Sequence, residues 1–278
     1  MRAMNHLRYG TIPVILIACL LFAAGCTSTS GSGTASSAAP ASSQQSILVY
    51  AGAGLQPPLA EIGPLFTAKY GVAVQYNYGG GGTLVSQMNL TRKGDVFIPG
   101  STKEFKTAKM QGLVNGSMLV AYHVPVIVVQ KGNPKSITSL EDFARPGLKI
   151  ALGDAKATAI GQAAAQMFAA LNITDAVNQN VVTRTPTINE LTVYMNTGQA
   201  DAAILTLDLY NATTMDEIAI PLSQNDVLIT PIGATTFATN STAADEFVSF
   251  VASDEGKAIF AKHGFPIYPD PAYASVTP

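Results

Sequence analysis

Three times in this chain an apolar, strand-like run passes through a few small residues straight into a helical pattern. Ile47–Tyr50 runs into AGAG, Val72–Tyr78 into GGGGT, and Leu148–Leu152 into GDAKATAIG. Strands joined through helices must lie parallel in a sheet, since antiparallel neighbours need only a hairpin, so these junctions point to an α/β architecture with right-handed crossovers. In the first half the helical stretches fall at about Pro57–Tyr70, from Thr83 onward, and at about Thr102–Gln111, with a third strand at Asp95–Ile98. Pro57 and Pro58 suit a first helical turn, whereas Pro64 is expected to kink or interrupt the helix that holds it.

A second set repeats the pattern. Val124–Val129 is a continuous apolar run, as expected of a strand covered on both faces. Strands then follow at Leu148–Leu152, Val181–Val182 and Ala202–Leu205, with helices at Ile160–Leu171 and Ile188–Asn196. VLITPIGATTF after Asp226 reads as one or two strands, and two helices (Ala243–Ala252 and Glu255–Lys262) finish the chain. The expected body has two lobes, each a mixed, mostly parallel sheet flanked by helices, facing each other across a cleft. Two crossing strands near Val124–Val128 and Val227–Thr230 would form the hinge. The first lobe would comprise residues 46–124 and 230–278, the second residues 125–229.

The amino terminus carries a different signal. Arg2, His6 and Arg8 precede an apolar run from Ile12 to Ala24, then Gly25-Cys26. A short basic region, a short apolar stretch and a small-residue boundary describe a secretory signal, here residues 1–25. The run is shorter than the ~20 residues that span a bilayer. AAGC resembles a lipobox, which implies that Cys26 becomes a lipidated terminus. Residues 26–45 would then form the anchor and a flexible Ser/Thr/Gly/Ala tether. The alternative, an uncleaved membrane anchor, equally places the body outside the cytoplasm. With Cys19 in the signal and Cys26 in the anchor, no thiol remains for a disulfide or metal site. Sequons at Asn89, Asn115, Asn172, Asn211 and Asn240 are compatible with a glycosylated surface protein.

A net charge of −2 with only 12% charged residues lacks the basic excess of a nucleic-acid binder, so no such partner is expected. Enzyme motifs are absent too: there is no G-x-S-x-G, H-E-x-x-H, Walker loop or cysteine pair. His123, beside an apolar strand, and His263, at the end of the last helix, read as boundary residues. The strand–helix junctions remain. A helix start exposes unpaired amide hydrogens at the positive end of its dipole, and glycine lets the backbone approach a ligand closely. One such loop serves a tight turn as readily as a ligand. Three at equivalent positions in two lobes can converge on one small anion at the carboxyl edge of both sheets.

The sequences VYAGAGLQPPLAEI, VQYNYGGGGTLVSQM and GDVFIPGS, in that order, resemble the molybdate-binding proteins of ABC importers, as do GDAKATAIGQAA and FVSFVASDEGKAIFAKHGF. The similarity spans about Ile47–Phe265. It implies the two-lobed, type II solute-binding fold, with no cofactor and no catalysis. The expected partners are a molybdate- or tungstate-like oxyanion, an ABC permease with its ATPase, and the membrane reached through Cys26; a monomer is expected. Carried over by position, the implied ligand-binding residues are Ala53 and Gly54, then Gly80, Gly81, Gly82 and Thr83, then Ala157 and Thr158, and Thr206. Gly54 and Gly81 stand where the family has serines, and Thr206 where it has a tyrosine. Two lost hydrogen bonds to a charged ligand would cost roughly 3–6 kcal/mol. The amides of Gly80–Thr83 and the hydroxyls of Thr158 and Thr206 must compensate, or the ligand is another anion: sulfate, phosphate-like or an organic acid. A ligand-sensing domain for a membrane receptor is a second reading of the same fold. Asp208 reads as a solvent-facing cap or, alternatively, a group that raises coordination at the ligand's metal centre. Asp95 and Asp154 read as loop-fixing residues and Lys156 as a solvated lysine.

Overall fold

The computed structural model describes residues 45–278; the expected signal and Cys26 lie outside them. The chain builds β1 (Ser46–Gly52), a 3-10 turn (Ala53–Leu55), α1 (Gln56–Tyr70), β2 (Ala73–Gly79), α2 (Gly81–Thr91), β3 (Val96–Ile98), α3 (Thr102–Met110) and β4 (Met118–His123). It continues through β5 (Pro125–Gln130), β6 (Ile150–Gly153), α4 (Ala159–Ala170), α5 (Thr174–Asn180), β7 (Val181–Thr185), α6 (Ile188–Asn196), β8 (Ala202–Thr206) and β9 (Met215–Ala219). It ends with β10 (Leu228–Ala234), α7 (Ser241–Ala252) and α8 (Asp254–Lys262).

Two five-stranded sheets form the two lobes, in the orders β2-β1-β3-β10-β4 and β7-β6-β8-β5-β9. In each, three strands linked through helices run parallel, and the fourth is antiparallel to its neighbours. Both faces of the first sheet are covered. Val49 and Ala51 of β1, with Val96 and Ile98 of β3, pack with α1, α7 and α8, whereas Tyr50 and Phe97 point to α2 and α3. This is the period-two alternation of a strand, with apolar partners on either side. The second lobe has its own core around Val126–Val129, Phe143, Phe168 and Leu191.

The chain leaves the first sheet at His123 and enters the second at Pro125, so the apolar run Val124–Val129 read as one strand is the linking residue Val124 followed by β5 up to Val129. It returns between β9 and β10, where Leu228 pairs with His123. Tyr122, Val124, Val227 and Ile229 form a small cluster at this double crossing.

Some elements differ from the sequence reading. The helix through Pro64 is continuous over Gln56–Tyr70. Proline's ring disfavours helix at the preceding residue by clashing with its Cβ; here that residue is Gly63, which has none and packs against the Tyr76 ring. VLITPIGATTF forms one strand, β10, with a bulge at Thr230/Pro231 that absorbs the proline's missing donor. β4, β9 and α5 carry weak periodicity and do not stand out in the sequence.

Candidate functional site

Between the lobes, at the carboxyl ends of β1, β2 and β6, lies a cavity of about 40 Å³. At 10–15 Å³ per water-sized sphere, this holds about three or four such spheres, close to the oxygens of one tetrahedral anion and far from a peptide or nucleotide. Its wall is mostly backbone and apolar: Gly52–Leu55, Gly79–Gly81 and Gly100 from one lobe, Ala159, Ile160 and Ile188 from the other, and Leu228 at the crossing. Among the described residues its polar side chains are Glu104, His123, Thr158 and Thr206. No described lysine or arginine lines it.

Of the expected residues, Ala53, Gly54, Gly80, Gly81, Thr158 and Thr206 line the cavity. Gly82, Thr83 and Ala157 do not. The Gly82 amide donates to the Ala157 carbonyl across the cleft at 3.0 Å, the Ala157 amide donates to Asp154 Oδ1 at 2.9 Å, and Thr83 is exposed. Thr158 offers neither donor. Its amide and hydroxyl both donate to the Asp154 carbonyl, and its Oγ1 caps α4 by accepting from Gly161. Among the residues that line the cavity, the helix-start amides left without a helical acceptor are those of Ala159 and Ile160 in α4 and of Gly81 in α2. In the second lobe the amides facing the cavity therefore sit one to three residues beyond those read from the sequence.

The glycines have a role that the sequence reading did not assign. A Cβ on Gly80 would lie 2.6 Å from the Pro186 carbonyl oxygen and closer still to that of Ala157; one on Gly82 would overlap the Lys156 carbonyl oxygen. These two residues are glycine because the opposite lobe docks on them. Gly81 has an internal neighbour instead. A Cβ there would overlap the Glu104 carboxyl group, so the space beside the α2 terminus that a serine side chain would take is occupied by Glu104. The lobes are further tied by Asn189 Nδ2 donating to the Ala53 carbonyl at 3.0 Å and by Lys103 Nζ donating to Gln166 Oε1 at 2.6 Å.

Two polar side chains to which the sequence reading gave no ligand role, Glu104 and His123, line the cavity, and Asp208 lies behind His123. Glu104 is the third residue of α3, where a capping box holds it: Ser101 Oγ accepts from the Glu104 amide, and Glu104 Oε2 accepts from the Ser101 amide at 3.2 Å. Burial pushes its carboxyl up to about 7, opposed by those amide donors. The S-x-x-E spacing 101–104 signals the cap, but nothing in the sequence says that the acid also faces a cavity.

His123, read as a boundary residue, is buried at the end of β4 and lines the cavity; burial lowers its pKa to about 4, so the ring is neutral. Asp208 is not a solvent-facing cap: its side chain is fully buried, 3.5 Å from His123 Nδ1, and burial pushes it up to about 7. Thr206 lies toward this carboxyl and tempers the shift, though the geometry falls short of a hydrogen bond. A protonated Asp208 facing Nδ1 would leave the proton of neutral His123 on Nε2, as a donor. Among the described residues, His123 Nε2 and Thr206 Oγ1 are buried with no hydrogen-bond partner, as are both carboxyl oxygens of Asp208.

Asp95 and Asp154 do fix loops. Asp95 accepts from Leu48, Thr239 and Asn240, and Asp154 from Lys156 and Ala157. His263 pairs with Glu61 Oε2 at 3.1 Å at the end of α8. Lys156 is exposed and, with Lys103, edges an outer vestibule of about 230 Å³ that shares Glu104 and Thr158 with the inner cavity. Lysines there raise the local concentration of anions without entering the cavity.

Over 254 residues, 90% of this chain and 95% of the other, the sequence is 29% identical to the molybdate-binding protein ModA of Mycobacterium tuberculosis. Over 159 residues it is 31% identical to a binding protein of Haemophilus influenzae, spanning 57% of this chain and 65% of that one. The sulfate-binding protein SubI of Mycobacterium tuberculosis shares the fold, with a TM-score of 0.71 at 22% identity over 83% of this chain and 89% of the other. Residues 47–266 match one family throughout, and the chain belongs to it: the bacterial extracellular solute-binding proteins.

Proposed function

We propose that this protein captures a small oxyanion of the molybdate or tungstate type outside the cytoplasm and delivers it to an ABC permease and its ATPase. The observation that carries the reading is the cavity itself. It has room for one tetrahedral anion, is lined by the first residues of α2 and α4, whose amides lack helical acceptors, and is bordered by two buried polar groups, His123 Nε2 and Thr206 Oγ1, that find no partner among the described residues. Buried polar atoms are nearly always satisfied, so a ligand is the natural partner for both. The likeness to a protein named for molybdate binding, over nearly its whole length, supports the same ligand class. Contacts to both lobes favour the closed arrangement, and the permease would read that closure. Lipidation of Cys26 would hold the body at the membrane, with residues 27–45 as tether.

A different anion is the second reading, favoured by Gly54 and Gly81 in place of hydroxyl-bearing residues and by the acid at the cavity wall. Titration calorimetry against molybdate, tungstate, sulfate and phosphate tests both. Saturable heat with only the first two supports the proposal. Saturation by sulfate or phosphate instead moves the protein to the second reading, and no heat from any of the four rejects oxyanion capture.

A further inference from the structure

The cavity proposed to take a dianion contains a buried acid and no lysine or arginine. We propose that Glu104 is a ligand-binding residue that carries the proton an oxyanion needs, so that capture of a fully deprotonated tetrahedral anion takes up one proton at Glu104. This rests on the oxyanion reading above.

The argument is one of charge and place. The Glu104 carboxyl lies against Gly81 at the start of α2 and is held from the α3 side by the amides of Ser101 and Gly100. It thus occupies a position that attracts negative charge, on the wall the ligand must touch. As a carboxylate it would be an acceptor only, facing another acceptor of the same sign in a dry site. As a carboxylic acid it becomes a donor to a ligand oxygen and supplies the hydrogen bond for which no hydroxyl exists at position 81.

The groups around it offer no other charge compensation. Gly81, Gly82, Leu84 and Val85 of α2 carry none. Lys103 is engaged by Asp226 at 2.6 Å, and Lys156 is exposed in the vestibule. His123 is neutral, with Asp208 behind it. Burial, which raises the carboxyl to about 7, places this proton within reach of neutral pH. The proton comes from bulk water; no covalent bond is made.

The test is calorimetry of the purified full-length protein with molybdate and with sulfate at about pH 6, 7 and 8, in two buffers of different ionisation enthalpy. We expect uptake of about one proton per anion near pH 8, none near pH 6, and an affinity that falls about tenfold per pH unit above pH 7. In Glu104→Gln, whose amide donates without titrating, the uptake should vanish and the affinity become flat with pH. Uptake that persists in Glu104→Gln overturns the assignment. So does hydrogen phosphate binding in preference to both anions without uptake, since Glu104 would then be an ionised acceptor. If Glu104→Gln does not fold, the proton count in the unmodified protein decides alone. Binding without proton uptake removes only this inference; no binding of any oxyanion removes the oxyanion reading with it.

Discussion

Thr206 and Glu104 show two ways in which a buried polar residue can be unhelpful to the fold. Thr206 ends β8 with no exposed surface and no partner for its hydroxyl. Leaving a buried hydroxyl unsatisfied costs about 1–3 kcal/mol. Thr206→Val should therefore leave the melting temperature unchanged or raise it, while weakening anion affinity about tenfold or more, as expected for losing a hydrogen bond to a charged group. Thermal unfolding and calorimetry on the same variant separate the two; a loss of stability without loss of affinity would make the hydroxyl structural.

Glu104 and Asp208 are both raised by burial to about 7, so each holds its proton more tightly folded than unfolded. The stability this contributes is full below the ordinary carboxylate range and is lost as pH rises through about 7. His123, lowered to about 4, acts in the opposite sense below its ordinary range, but it is one group against two. The ligand-free protein should accordingly melt at a lower temperature near pH 8 than near pH 5, and Glu104→Gln should flatten that slope. A melting temperature that rises over this interval would contradict the burial of both carboxyls.

At the scale of elements, the α2 terminus matters most. Gly80 and Gly82 sit under the carbonyls of Lys156, Ala157 and Pro186, so their missing side chains let the two lobes meet. Gly82→Ala should improve α2, because alanine is the better helix former by up to about 1 kcal/mol. It should nevertheless lower anion affinity on the order of tenfold, because closure is blocked. Retained or raised thermal stability alongside weaker binding is the expected signature, and unchanged affinity would show that the cleft does not close on this contact. These junctions were legible as strand–glycine–helix passages, since a dipeptide of glycines before a helix is a local signal. Which carbonyl or carboxyl faces each glycine was not legible, because that partner lies far away in the chain: Ala157 for Gly82, Glu104 for Gly81. The same limit explains the displacement in the second lobe. GDAKATAIG announces a helix start, but only the Asp154 and Thr158 hydrogen bonds reveal that the open amides begin at Ala159.

Among the described residues, the chain passes between the two sheets at Val124 and through the β9–β10 segment, and hydrogen bonds cross the cleft from Lys103, Asn189 and the Gly82 amide. A ligand that touches both lobes binds the folded, closed form alone. At a hundredfold excess over its dissociation constant it would add about 2.7 kcal/mol of stability, which for a body of this size is a rise of roughly 5–10 °C in melting temperature. Molybdate or tungstate producing this shift, with chloride producing none, is the expected thermal-shift result. Equal shifts from every anion would point to surface screening.

The linear chain determined its own fold class: apolar runs of strand length alternating with helices lead to mostly parallel sheets, and their repetition in two halves leads to two lobes. It determined equally that amides would gather at strand-to-helix junctions, because glycine and helix starts are local properties. Tertiary structure alone decided what those junctions face. An acid from α3, a histidine from the crossing strand and an aspartate behind it meet at one cavity across separations of up to about a hundred residues, and burial reset the proton affinities of all three. Local patterns report backbone conformation, whereas the charge a group carries depends on how much water its neighbours exclude, and those neighbours are assembled only by folding.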